Sequence, residues 1–137
     1  MRWMPILLLV PTCLTASPGG SEAQTREFRT TNRMVLGTPA DLTASMAFAD
    51  VDSDGDQDVV LANGRHWAQA NEVYLNNGQG RFTVAYPLGD EKATTYAVPV
   101  GDLDLDGDLD VVVGNDMAEK WVLLNDGTGA FHKAWPV

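Results

Sequence analysis

The chain of 137 residues contains one cysteine, at position 13, and only two histidines, His66 and His132. A disulfide framework, a thiol nucleophile or a zinc site of His and Cys therefore has almost nothing to draw on. Cations are scarce as well: nine Lys and Arg face nineteen Asp and Glu, and no basic cluster is present to take the phosphates of a nucleic acid. The serine nucleophile pattern G-x-S-x-G does not occur. Beyond residue 24 no apolar pattern keeps a helical period for a useful length, and no run reaches the ~20 residues of a membrane span. What abounds is aspartate. "DVDSDGDQD" runs from Asp50 to Asp58, and "DLDLDGDLD" returns from Asp102 to Asp110. These ten aspartates account for the whole net charge of -10, because the remaining nine acids are matched by nine cations. The acidity is local, unlike that of a diffuse acidic tail.

The first residues read as an address. Arg2, the apolar run "ILLLV" at Ile6 to Val10 and the small and polar residues leading to "SEAQ" predict a secretory signal peptide over residues 1–23, with Ser21 and Ala23 at the small-residue positions before the cut. Pro5, Pro11 and Thr12 interrupt the run, which argues against a membrane anchor. Cys13 lies inside this leader, so the mature chain is expected to carry no thiol. The alternative, a lipoprotein modified at Cys13, is disfavoured by Pro11 and Thr12 where small residues usually precede such a cysteine. The expected location is extracellular or in the cell envelope, the periplasm included. A small secreted chain without disulfides needs another staple, and a structural metal is the obvious one.

Laid on itself at an offset of 52, the chain repeats: "DVVLAN" at Asp58 to Asn63 matches "DVVVGN" at Asp110 to Asn115. Further on the offset is 49, so that "VYLNNGQGRF" matches "VLLNDGTGAF". The difference falls in "GRHWAQANE", which is therefore expected to be a loop. Each copy reads as four strands. In the first, Ala44, Met46 and Phe48 alternate with small residues, as do Tyr96, Val98 and Val100 in the second copy. The next is a continuous apolar run suited to burial on both faces. The third is "EVYL" or "WVLL" and ends in a turn of Asn77-Gly78 or Asp126-Gly127; the fourth starts at Phe82 or Phe131. Pro99 has no N–H for a ladder, so the first strand should lie at a sheet edge. The expected fold is all-β, two four-stranded antiparallel blades of a partial β-propeller. Its segments are residues 24–42, where Arg26 to Phe28 would supply a strand of a preceding blade, then the repeats 43–94 and 95–137.

Five carboxylates in one short loop repel each other, and a dication removes that cost. In D-x-D-x-D-G-x-x-D the alternate spacing turns the first, third and fifth side chains inward, the sixth-position glycine permits a sharp bend, and the ninth-position aspartate closes the shell. The seventh residue, Asp56 or Asp108, offers its carbonyl. An all-oxygen set of this size suits calcium better than magnesium or zinc. An EF-hand requires Glu at the twelfth position, where Leu61 and Val113 stand.

"FADVDSDGDQDVVLAN" with "NEVYLNNGQGRF", and "VGDLDLDGDLDVVVGN" with "KWVLLNDGTGAF", resemble FG-GAP repeats of the VCBS type, the calcium-bearing propeller blades similar to those of integrin alpha subunits and many secreted bacterial proteins. The resemblance covers Thr43 to Phe131. It implies two calcium sites, one held by Asp50, Asp52, Asp54, Asp56 and Asp58, the other by Asp102, Asp104, Asp106, Asp108 and Asp110. It also implies about seven blades, and two cannot close a ring. The chain is then the front of a longer reading frame, a unit that assembles with other copies or blades, or a calcium-held pair. The implied function is non-catalytic binding or adhesion to an extracellular protein or glycan. Arg65, His66 and Trp67 form the candidate contact, Trp67 by stacking on a sugar ring; the alternative is that Trp67 tucks under its own loop, while Trp121 is expected in the core. The competing reading is a detached domain of a larger extracellular enzyme or a spacer of a surface protein.

Overall fold

The computed structural model describes residues 36–137. The leader expected over residues 1–23 and the strand expected at Arg26 to Phe28 lie outside the described residues. Among the described residues every regular element is a strand, and no helix is long and apolar enough to cross a membrane.

Two antiparallel sheets make up the fold. The first joins β1 (Thr43–Ala49), β2 (Asp58–Asn63), β3 (Gln69–Asn76) and β4 (Phe82–Ala93) in sequence order. The second joins β5 (Thr95–Ala97), β7 (Asp110–Asn115), β8 (Trp121–Asn125) and β9 (Phe131–Pro136), with the short β6 (Val100–Gly101) also on β7. β5 and β6 are two halves of one edge strand. Between them Pro99, which cannot donate, accepts a bond from the Val112 N–H at 3.0 Å, so the ladder continues on one side across the break. Each sheet is a propeller-type blade of four strand positions.

The central apolar run of the first sheet is buried on both faces, every residue of β2 being buried, as expected for a strand with a neighbour on each side and a covered sheet surface; in β7 of the second sheet Val112 and Gly114 are half-buried. The core lies between the sheets. Ala47 and Ala49 of β1, Val60 and Ala62 of β2 and Val73 of β3 pack there against Val98, Val111, Val113 and Leu123, with Val100 and Trp121 at its margin. On β1 the small residues face this core, while Met46 and Phe48 are 57% and 63% exposed. In the second sheet the parity is reversed, since Val98 and Val100, the counterparts of Met46 and Phe48 at the 52-residue offset, face inward.

Buried polar groups are tied across the same boundary. Asn71 Nδ2 donates to Thr95 Oγ1 at 2.9 Å, and that hydroxyl donates to Asn115 Oδ1 at 2.7 Å. Thr43 and Asn63 make the equivalent bond within the first sheet, at 2.8 Å. The stretch "GRHWAQANE" is a loop only over residues 64–68. Its second half lengthens β3, because β4 runs on to Ala93 and gives Gln69 and Ala70 partners at Ala93 and Lys92.

Candidate metal centre and loop surface

The two aspartate loops join β1 to β2 and β6 to β7, at the end of the sheets that also carries the β3–β4 and β8–β9 hairpins. Each bends through two left-handed residues. Ser53 and Leu105 at the fourth position have φ of 59° and 68°, and Gly55 and Gly107 at the sixth have 94° and 103°. Glycine at the sixth position was legible in the sequence; strain on a serine and a leucine was not.

The aspartates divide by role. Asp58 and Asp110, at the ninth position, are fully buried. Asp58 accepts from Val51 N at 2.9 Å with one oxygen and from Asn76 N at 2.8 Å with the other. Asp110 does the same with Leu103 N at 2.8 Å and Asn125 N at 3.0 Å. These two carboxylates stitch the loop to the end of the third strand of each sheet. Asp50 accepts from Asp54 N and Gly55 N at 3.1 and 3.0 Å, and Asp102 from Leu105 N at 2.7 Å. Asp54 and Asp106 each bond the N–H two residues on, at 2.9 Å in both loops. The Asp56 and Asp108 carboxylates turn away from the loop interior and lie against Gly78 and Gly127, where a Cβ would come within 2.5 and 2.7 Å of them. The hairpin glycines thus leave room for the seventh-position side chains.

In the first loop, oxygens of Asp50, Asp52 and Asp58 converge to within 4.8 Å of one another; in the second, oxygens of Asp102, Asp104 and Asp106 do. Asp54, Asp56, Asp108 and Asp110 stand outside these two trios. Asp52 Oδ1 is buried and has no hydrogen-bond partner. An acceptor in that state is costly unless a donor or a cation meets it. Its carboxyl is held above the usual range by loss of water and then by the charges of Asp58 and Asp54. Asp104 is likewise raised, as partial desolvation and the charges of Asp106 and Asp110 outweigh its bond from Asp106 N–H. Hard oxygen donors with one orphaned, charge-crowded member fit a calcium-type dication.

Residues 50–113 match the family model described as FG-GAP-like repeat. The chain carries an FG-GAP-like repeat. The matched span starts on the first aspartate of one loop and ends in β7, so it takes in both loops and most of the first blade. No match was found among curated proteins or among solved structures.

At the other end of the FG-GAP-like blades, the β2–β3 loop carries Arg65, His66 and Trp67. Trp67 is 74% exposed and is not tucked under its loop. The loop's entry is fixed at Gly64, where a Cβ would meet the carbonyls of Ala93 and Trp67 at 2.4 and 2.8 Å. Arg65 and His66 border a hollow with Asp41, Leu42 and Thr43. The Tyr96 hydroxyl of the second sheet donates to the Arg65 carbonyl, and Met117 on the neighbouring β7–β8 loop is fully exposed. Trp121 packs at the core margin under Lys133, whose ammonium sits 4.6 Å from the ring centre. Two devices were missed in the sequence, the Thr–Asn bond of each sheet and the stitching role of the ninth aspartate. The signal for the first was present, since Thr43 and Asn63 recur at the repeat offset as Thr95 and Asn115.

Proposed function

We propose that this chain is a secreted, non-catalytic β-propeller repeat module whose two aspartate loops each hold a calcium ion and whose opposite loop end binds an extracellular protein or glycan. The observation that carries the metal reading is the unpartnered, buried Asp52 Oδ1 beside Asp50 and Asp58. Asp50, Asp52, Asp54 and Asp58 with the Asp56 carbonyl would hold one ion, and Asp102, Asp104, Asp106 and Asp110 with the Asp108 carbonyl the other. The ion supplies the positive charge that lets five carboxylates share one loop. The chain's own part is to curl the loop and to anchor it through Asp58 and Asp110.

The binding reading is supported by Trp67, a large aromatic held in the open next to a cation and an imidazole. The non-catalytic reading is supported by the separation of the two imidazoles, with His66 on a loop of the first sheet and His132 on β9 of the second. Secretion rests on the leader sequence. The test is a binding screen of the calcium-loaded chain against immobilised glycans and extracellular matrix proteins, repeated with Trp67→Ala. Loss of at least tenfold in affinity with an unchanged circular dichroism spectrum is expected; undiminished binding by the variant removes Trp67 from the surface.

A further inference from the structure

The two aspartate loops repeat each other in sequence, yet they are tied into the fold differently. Asn76 and Asn125 end the third strand of each sheet, at equivalent places in the repeat. Each donates its backbone N–H to the ninth aspartate of its own loop, Asn76 to Asp58 at 2.8 Å and Asn125 to Asp110 at 3.0 Å. Each also donates from Nδ2, at 3.2 Å, to the carbonyl just before that aspartate, on Gln57 or Leu109. Asn125 alone reaches further. Its second Nδ2 hydrogen goes to the Val51 carbonyl of the first sheet at 2.6 Å, and its Oδ1 accepts from Gly129 N at 3.1 Å. At this end of the fold that is the one hydrogen bond between the sheets among the described residues. Asn125 is buried, so water cannot take its place at either carbonyl.

Val51 lies between Asp50 and Asp52, and its own N–H donates to Asp58. The bond from Asn125 therefore bears on the stretch of backbone shared by the three carboxylates that converge in the first loop. The hairpin that carries Asn125 closes on the same loop: a Cβ on Gly129 would come within 3.2 Å of Leu75 Cδ2 and 3.5 Å of Val51 Cγ2, whereas one on its counterpart Gly80 would meet nothing. In the second loop the equivalent residue is Leu103, which is 43% exposed and receives no such bond from the other sheet among the described residues. The carboxylates differ accordingly. Asp58 joins the converging trio of the first loop, while Asp110 stands outside that of the second.

Resting on the calcium reading of both loops, we propose that Asn125 is a positioning residue for the first loop's cation, supplied by the second sheet, and that it couples the two loops. It is no ligand itself. Filling the second loop fixes Asp110 and Leu109, these hold the Asn125 backbone and amide, and the amide holds the Val51 carbonyl so that Asp50 and Asp52 are already turned together. The path from Asp110 through Asn125 to Val51 is a contiguous run of hydrogen bonds. Coupling between binding sites is reciprocal, so filling the first loop raises the affinity of the second by the same factor.

Heteronuclear NMR of the full chain across a series of free calcium concentrations tests this, because the Gly55 and Gly107 amides report the two loops separately. Asn125→Ala is expected to raise the half-saturation concentration of the first loop at least fivefold, although no ligand of that loop is altered. Asn76→Ala, which removes the matching amide within the first sheet, is expected to change it less than twofold. Disabling the second loop with the exposed pair Asp104→Asn and Asp106→Asn is expected to weaken the first at least threefold when Asn125 is present, and to add less than twofold to the effect of Asn125→Ala. If Asn125→Ala loses its strand circular dichroism, the chain with the disabled second loop carries the test by itself. A first loop indifferent to Asn125→Ala, equally sensitive to Asn76→Ala, or indifferent to the state of the second loop would overturn the coupling and leave the calcium reading standing. Glycine amides that do not respond to calcium in the wild type would overturn both.

Discussion

Asp58 has both carboxylate oxygens on backbone N–H groups, whereas Asp52, six residues earlier in the same loop, has a buried oxygen with none. The first has both acceptors met by the fold itself; the second does not, and its carboxyl is raised by desolvation and by the neighbouring charges of Asp58 and Asp54. A carboxyl raised in the folded state contributes stability that is fully present below its unfolded pKa and is lost as pH rises through the folded value. In chelator, Asp52→Asn therefore removes a penalty that grows as pH rises above the ordinary carboxylate range. The variant is expected to melt higher than the wild type at pH 7 without calcium, and by a margin that shrinks towards pH 4. With calcium in excess the order reverses, because the amide carries no charge for the ion. Thermal melts of both proteins at pH 4, 5.5 and 7, with calcium and with chelator, check the crossing; a variant that melts lower in every condition contradicts it. Asp126 behaves in the opposite sense. Its carboxylate is held low by the Thr128 side chain and N–H, so its contribution is present at neutral pH and is lost as pH falls.

At the scale of the element, strands and turns follow from period-two alternation, short apolar runs and Asn-Gly or Asp-Gly turns, and these were legible. The alternation did not say which face of β1 is inside, because Met46 and Phe48 are the more apolar set yet point outward. The choice is made by the neighbouring sheet, whose Val98, Val111 and Trp121 need small partners to pack closely. The length of β3 was likewise hidden, since Gln69 to Glu72 have no apolar pattern and are held in the strand by pairing with β4. Thr95 was legible only as a repeat position, although it joins Asn71 of one sheet to Asn115 of the other. Thr95→Val keeps the shape and strands both amides in a buried site, at a cost of about 2–4 kcal/mol. Urea denaturation in calcium checks this. Thr43→Val, whose residue is exposed at the open edge, is expected to cost less than half as much, and equal costs would contradict the bridging role.

For the whole molecule, the two blades of the described residues share one boundary core. Repeat units of this kind gain stability from each neighbour added. Three contributions bear on how this pair holds: the Asn71–Thr95–Asn115 bridge, the ion pair of Lys133 with Glu91 across the sheets, made while Lys133 lies over Trp121 of its own sheet, and the proposed ions in the loops. The last is the largest lever. A ligand bound only by the folded state adds about 2.7 kcal/mol per site at one hundred times its Kd, which for ~100 residues raises Tm by roughly 10 °C or more per site. Calorimetric titration of the chelator-treated full chain with calcium, with the melting temperature followed on the same samples, tests this most directly. The account predicts two ions bound per chain and a Tm that climbs with the logarithm of calcium concentration. No heat of binding, with a folded chain whose Tm is the same in calcium and in chelator, would contradict it.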